Sequence, residues 1–110
     1  MTETKSASVA RLNDMLRTSG IGGEIFATPG VTALSHEMRA RVVSAIRDFD
    51  DFTLDNDPYS EHDFGSVDVD GAKYLFKIDA YDPSYRFASE DPFNPAKTRR
   101  VMTIMRADEY

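Results

Sequence analysis

The chain has 110 residues, and 41% of them are hydrophobic, which is enough to build the one thin core of a single domain spanning residues 1–110. It contains no cysteine, which excludes disulfides, thiolate zinc sites and cysteine nucleophiles. Its net charge of −6 argues against direct binding of nucleic acid, and no stretch is apolar over the length of a membrane span.

The first half of the chain predicts two helices and one short strand. Residues 1–8 are polar, lack the apolar core of a signal peptide and are expected to form a loose tail on a cytoplasmic bacterial protein. A first helix is predicted over residues 5–19, and a strand over residues 24–28. Thr28-Pro29-Gly30 then predicts a type II turn. Ser35 is the expected N-cap of a second helix, residues 35–48.

The second half predicts three strands separated by loops. Residues 64–69 and 73–81 alternate in hydrophobicity around Asp70-Gly71, a strong signal for a type I′ hairpin turn. Residues 100–106 form the last predicted strand, and long loops are expected at residues 50–63 and 82–98. The predicted order is α-β-α-β-β-β. We therefore expect an α+β fold with two helices packed on one face of a mainly antiparallel four-stranded sheet.

A concentration of acidic residues runs from the end of the second helix into the hairpin. The dipole of a helix disfavours anions at its C-terminal end, so this cluster breaks a local rule without visible compensation. It is either a binding surface or ordinary helix-ending and turn chemistry. The acids are Asp48, Asp50, Asp51, Asp55, Asp57, Glu61 and Asp63.

The same cluster offers candidate metal ligands. The calcium-loop pattern fails because serine stands where it requires glycine and glutamate, and the two histidines do not form a zinc pair. No cofactor is otherwise expected, but a Mg²⁺ or Mn²⁺ site is an open alternative because these hard cations need only clustered oxygens. The candidate ligands are Asp55, Asp57, Glu61, His62 and Asp63.

His62 and the arginines each have two interpretations. His62 lies between two acids and has the make-up of a general base oriented by a carboxylate, or it makes a structural hydrogen bond at the start of a strand. The basic residues around the last strand and on the second helix either converge on an anion or pair with the acidic loop. They are Arg39, Arg41, Arg47, Lys97, Arg99, Arg100 and Arg106.

Residues 49–65, with the sequence FDDFTLDNDPYSEHDFG, resemble the central signature of an uncharacterised family of small bacterial proteins. The family is labelled a domain of unknown function, number three-seven-six-eight, and occurs in alphaproteobacteria, often on plasmids. Residues 25–31, 76–82 and 101–105 are also similar to it, so the resemblance extends from about Val9 onward. It implies a self-contained domain in a mobile-element setting and supplies no active site.

The sequence favours a binding module over an enzyme. In this interpretation an acidic loop faces a protein with a basic surface, as an inhibitor encoded by a mobile element or a mimic of nucleic acid would. The alternative is a small Mg²⁺- or Mn²⁺-dependent hydrolase with His62 as its base, and a third is a protein that only forms homodimers or scaffolds. The expected binding residues are Asp50, Asp51, Asp55, Asp57, Tyr59, Glu61 and Asp63.

Overall fold

A computed structural model describes residues 3–110. Helix α1, Lys5–Ser19, begins where the Thr4 hydroxyl accepts a hydrogen bond from the Ala7 N–H, and it ends at Gly20 with a φ of 72°. Both signals agree with the sequence, because threonine favours the N-cap and glycine tolerates the left-handed C-cap. The helix starts inside the segment expected to be a loose tail, and Met1 and Thr2 lie outside the described residues.

The segment after strand β1, Glu24–Ala27, differs from the prediction. Instead of a type II turn, the chain forms a short helix α2, Pro29–Thr32, with proline in its first turn. Gly30 has no positive φ, and its N–H donates to a carboxylate oxygen of Glu109 at 2.9 Å. The predicted turn is wrong because proline fits the first turn of a helix as well as the corner of a turn.

Helix α3, His36–Asp48, is capped as predicted. The Ser35 hydroxyl accepts from the Met38 N–H at 3.1 Å, and Glu37 lies in the first turn. Val42 and Ile46 are fully buried on its inner face. None of the helices formed by residues 3–110 combines the length and apolarity that crossing a membrane requires.

The sheet is mixed, which corrects the expectation of a mainly antiparallel one. Its other strands are β2, Phe64–Val69, β3, Ala72–Tyr81, and β4, Arg99–Arg106, and the spatial order is β1-β4-β3-β2. The β2–β3 and β3–β4 pairs are antiparallel, but β1 runs parallel to β4. Alternation within a strand predicts its faces and carries no information on its direction relative to a distant strand. The full element order, α-β-α-α-β-β-β with two short 3-10 turns, therefore adds α2 to the predicted order.

The hairpin and the core follow the sequence closely. Asp70 and Gly71 both have positive φ, 54° and 82°, as a type I′ turn requires. Gly65, Val67 and Val69 face the core together, whereas Phe64 lies on the other face of the strand. The two long helices and the sheet contribute to one buried cluster, which includes Leu16, Val42, Ile46, Tyr74, Phe76, Ile78, Met102 and Ile104.

The packing around position 65 explains why it is a glycine. A Cβ atom at this position would lie 2.6 Å from ring carbons of both Phe49 and Phe76. These two rings meet edge to face, with centroids 5.5 Å apart. The strand therefore needs glycine here so that Phe49, at the end of α3, can close over the core. The start of the loop after α3 is fixed by this contact.

Candidate functional site

The acidic loop, residues 50–63, connects α3 to β2 and exposes several of its acids. The side chains of Asp50, Asp51 and Asp55 lie on the surface. Two apolar side chains stand beside them, with Leu54 81% exposed and Tyr59 75% exposed. Exposed carboxylates and two exposed large side chains therefore share a single loop.

The first part of the acidic loop is held by its own hydrogen bonds. The Thr53 N–H donates to the Asn56 side-chain oxygen at 2.8 Å, and the Asn56 amide donates to the Asp51 carbonyl at 2.8 Å. The Asp57 N–H donates to the Thr53 carbonyl at 2.8 Å. Asparagine side chains commonly close turns in this way. Leu54 and Asp55 therefore sit at the tip of a closed turn.

Asp57 has a different position from the one expected of a binding residue. Its side chain is only 4% exposed, and its two oxygens accept the Glu61 N–H at 2.9 Å and the His62 N–H at 3.1 Å. Ser60 and His62 both adopt a positive φ, 55° and 56°, which costs non-glycine residues about 1 kcal/mol or more each. The buried carboxylate compensates this strain, so Asp57 shapes the loop rather than presenting its charge.

Arg17, a residue of α1, compensates the negative end of the α3 dipole, which the sequence did not reveal. It is 5% exposed, and one of its terminal nitrogens donates to the carbonyls of Ile46, Arg47 and Phe49 at 3.2, 3.1 and 2.7 Å. The last carbonyls of a helix have no partner within the helix and carry its negative dipole end. A cation inserted there satisfies the carbonyls and offsets the dipole.

His62 is oriented by an acid from α1 rather than by its neighbours in the chain. Its Nδ1 lies 3.0 Å from an oxygen of Asp14, which also accepts from Arg17 at 2.9 Å. The imidazole stacks on Phe52 at 3.9 Å with the rings nearly parallel, and its Nε2 lies 3.8 Å from the Asp57 carboxylate. The predicted carboxylate partner of His62 thus exists, but it is Asp14, a residue that sequence reasoning missed.

The end of the acidic loop is tied to β4 through Asn13. Its amide donates to the Glu61 carbonyl at 2.9 Å, and its oxygen accepts from Arg100 Nε at 2.6 Å. Arg100 is 3% exposed and also donates to the Pro92 carbonyl. One buried asparagine therefore joins α1, the acidic loop, β4 and the second long loop.

Glu61 and Asp63 line a small cleft of about 350 Å³ together with Asn13. Burial raises the pKa of the Glu61 carboxyl above its ordinary value of 4.5, and the charges of Asp63 and Asp57 raise it further, against a smaller opposing effect of Arg100. Burial also raises the pKa of Asp63, with a contribution from Asp57. The structure therefore holds two partly buried carboxyl groups that repel each other.

We expect Glu61→Gln to raise the melting temperature at about pH 7 and to have little effect at about pH 4. Because the folded-state pKa of Glu61 is raised, its favourable contribution is complete at low pH and is lost as the pH rises above 4.5. Relieving repulsion at a half-exposed site is worth several tenths of a kcal/mol, or about 2–4 °C for a domain of this size. Calorimetry at the two pH values checks this.

Glu90→Gln is the matched control for this prediction. It removes the same charge at an exposed position in the second long loop. If both variants raised the melting temperature equally at about pH 7, the effect would come from net charge rather than from the cleft.

The five candidate metal ligands do not converge on one point. Asp55 is at the surface, the Asp57 carboxylate accepts backbone hydrogen bonds, and Glu61 points toward a different side of the loop from His62, as the two clefts that they line demonstrate. Among residues 3–110, no group of three or more histidine, aspartate or glutamate side chains could hold a metal ion.

The basic residues do not pair with the acidic loop, which was one of their two expected roles. Within the described part of the chain, no lysine or arginine forms a salt bridge with a carboxylate of the acidic loop. Lys97 pairs instead with Asp91 at 3.5 Å, Arg106 pairs with Asp108 at 3.5 Å, and Arg100 is consumed by Asn13. The exposed carboxylates of the loop are thus left without an internal cation.

Comparison with known proteins assigns the chain to a family but assigns it no function. No curated protein and no solved structure matches the chain. The family described as Protein of unknown function (DUF3768) matches residues 27–109, which includes the acidic loop and begins later than the predicted start near Val9. This match covers well over half of the chain and agrees with the resemblance carried by residues 49–65. The chain belongs to the family Protein of unknown function (DUF3768).

Proposed function

We propose that this protein is a binding module whose acidic loop engages a protein with a basic surface. The observation that carries the proposal is the combination of exposed Leu54 and Tyr59 with unpaired surface carboxylates on a single loop. Interfaces concentrate their binding energy in a few large side chains, and surrounding charges select the partner and speed association. Leu54 and Tyr59 are the anchors, and Asp50, Asp51 and Asp55 select for basic charge.

The construction of the loop supports this role. Asn56 closes its tip, Asp57 fixes its second half, and Phe49 packs its start onto the core. A loop that is already ordered loses less conformational entropy when it binds. The strain at Ser60 and His62 is of the kind that proteins keep where a functional conformation requires it.

The partner class follows from the chemistry of the loop. Its exposed carboxylates form no salt bridge with a lysine or arginine of residues 3–110, so the basic side chains of another protein complete their interactions without displacing existing pairs. If that partner is a nucleic-acid-binding protein, the carboxylates occupy the place of phosphates. In that case duplex DNA added to the complex competes for the same basic surface.

The proposal is tested with an array of immobilised basic peptides in which lysines and arginines flank one leucine or aromatic residue. We expect the double variant Asp51→Asn, Asp55→Asn to bind the best peptides about tenfold more weakly, because each exposed ion pair contributes up to ~1 kcal/mol. The double variant Leu54→Ser, Tyr59→Ser is expected to lose about thirtyfold or more in affinity for these peptides, because anchor residues carry most of the binding energy. Neither pair supports the fold, so the melting temperature is unchanged.

A double variant on other surfaces separates specific from general attraction. Asp68→Asn with Glu90→Gln changes the net charge by the same amount at exposed positions outside the acidic loop. We expect this variant to bind like the unmodified protein. Equal loss in both charge variants, or no effect of Leu54→Ser with Tyr59→Ser, would contradict the proposed binding surface.

A further inference from the structure

Strand β1 has an outer edge that no other strand of residues 3–110 covers. It pairs with β4 on its other side, and all four of its residues are exposed. The Thr28 N–H, just beyond the strand, donates to the Ile104 carbonyl at 3.0 Å. Successive residues of a strand direct their backbone groups to opposite sides, so Ile25 and Ala27 point their N–H and C=O groups away from β4. The edge therefore offers two donors and two acceptors.

The side chains along this edge do not protect it. Ile25 is 43% exposed, Phe26 is 54% exposed, and Ile21 in the preceding connection is 56% exposed. Natural edge strands are commonly guarded by lysine or by inward-pointing charges, and β1 has neither. Its single charged residue, Glu24, accepts a hydrogen bond from the Tyr85 hydroxyl at 3.0 Å. Apolar side chains thus flank the free backbone groups on both faces of the sheet.

We propose that β1 pairs with β1 of a second copy of this chain, antiparallel and around a two-fold axis through Phe26. In this register Ile25 lies opposite Ala27 of the second copy, and all the outward backbone groups of these residues form hydrogen bonds. The two Phe26 residues then form the closely spaced, non-hydrogen-bonded pair at the centre. Glu24 falls opposite Thr28 of the second copy, so the two Glu24 carboxylates are kept apart.

The distribution of charge explains why a second copy uses this edge. Each copy carries a net charge of −6, so two copies approach best at an edge whose carboxylates already accept hydrogen bonds. At the β1 edge, Glu24 accepts from the Tyr85 hydroxyl, and Glu109 accepts from the Thr28 hydroxyl and the Gly30 N–H. The other edge of the sheet, β2, carries Asp68 and is flanked by Asp63 and Asp70. The acidic loop leads into that same edge. Pairing through β1 places the acidic loops at the two outer edges of one eight-stranded sheet.

This arrangement does not depend on the proposed function, because it concerns the opposite edge of the sheet. If both hold, the dimer presents two acidic loops at once and gains affinity for a partner with repeated basic sites. The paired strands are short, and small interfaces give weak complexes. We therefore expect a dissociation constant of about 10 µM to 1 mM for the dimer.

The first test is the mass of the full chain in solution as a function of concentration. We expect sedimentation equilibrium to show an average mass rising from the monomer value of 12.4 kDa toward twice that value. Phe26→Lys places two like charges opposite each other and is expected to keep the protein monomeric over the same range. Phe87→Lys, at an exposed aromatic residue in the second long loop, is the control and is expected to dimerise normally.

The second test fixes the register and uses the absence of cysteine in the chain. Phe26→Cys introduces a single thiol at the two-fold axis, where the paired Cβ atoms come within about 5 Å and a disulfide forms on mild oxidation. Phe87→Cys is expected to cross-link several-fold more slowly. A protein that is monomeric up to about 1 mM, equal cross-linking of both cysteine variants, or an undiminished dimer in Phe26→Lys would overturn the proposal.

Discussion

Replacing Arg17 with methionine is expected to lower the free energy of unfolding by about 3 kcal/mol. The side chain is buried, and it satisfies three carbonyl groups at the end of α3 while its guanidinium lies over the rings of Phe52 and Phe76. Methionine fills much of the same volume but removes the donor to these carbonyls, of which only that of Ile46 keeps another, the Phe49 N–H, and it leaves the helix dipole without its cation. Urea unfolding measures the loss, and the melting temperature is expected to fall by about 12 °C or more.

Two further variants isolate the cause. Arg11→Met removes an exposed arginine of the same helix, whose side chain pairs with Glu3 at the surface, and is expected to cost less than about 0.5 kcal/mol. Arg17→Lys keeps the charge but loses the forked donor geometry, so an intermediate loss is expected. Equal stability of Arg17→Met and Arg11→Met would show that the contacts of Arg17 at the end of α3 contribute nothing to stability.

Arg17 also shows what sequence reasoning could and could not reach at this site. The acids after α3 correctly marked a conflict with the helix dipole, because the dipole rule depends only on local position. Its resolution comes from α1, about thirty residues earlier, and no spacing or composition signal links the two positions. Asp14 and Asn13 were missed for the same reason, since both act on the acidic loop only after α1 has packed.

The predictions of the fold show the same difference between local and long-range signals. The cap at Ser35 and the hairpin at Asp70-Gly71 depend on neighbouring residues, and the structure confirms them. The parallel pairing of β1 with β4 depends on how the chain crosses between distant strands, and the sequence predicted it wrongly. The prediction of a type II turn at residues 28–30 was wrong for a similar reason. Glu109, near the C-terminus, accepts hydrogen bonds from the Gly30 N–H and the Thr28 hydroxyl and stabilises a helical turn there.

Within the acidic loop, residue type alone could not separate surface acids from a structural acid. Asp55 and Asp57 share the same short motif, yet one lies on the surface and the other is buried. The available signal was Pro58, since a proline after aspartate often accompanies a turn closed by the aspartate side chain. That signal indicates local capping and does not tell which way the carboxylate points. The difference between these two residues is therefore the clearest internal test of how the loop works.

Asp57→Ala is expected to lower the free energy of unfolding by about 2–3 kcal/mol and also to weaken binding of basic peptides. The substitution leaves the Glu61 and His62 N–H groups without acceptors and removes the support for the positive φ at Ser60 and His62. The second half of the loop then samples many conformations and must be ordered again on binding. Hydrogen exchange of the Glu61 and His62 amides is expected to accelerate at least tenfold.

Asp55→Ala separates the two roles, because Asp55 carries the same charge at the surface of the same loop. It is expected to weaken peptide binding without changing stability or amide exchange, whereas Asp57→Ala changes all three. Asp57→Asn keeps one acceptor oxygen and is expected to lie between Asp57→Ala and the unmodified protein in stability. If Asp57→Ala bound peptides normally while its amides exchanged rapidly, loop order would be irrelevant to binding. The exposed carboxylates and anchors would then act as independent groups on a flexible segment.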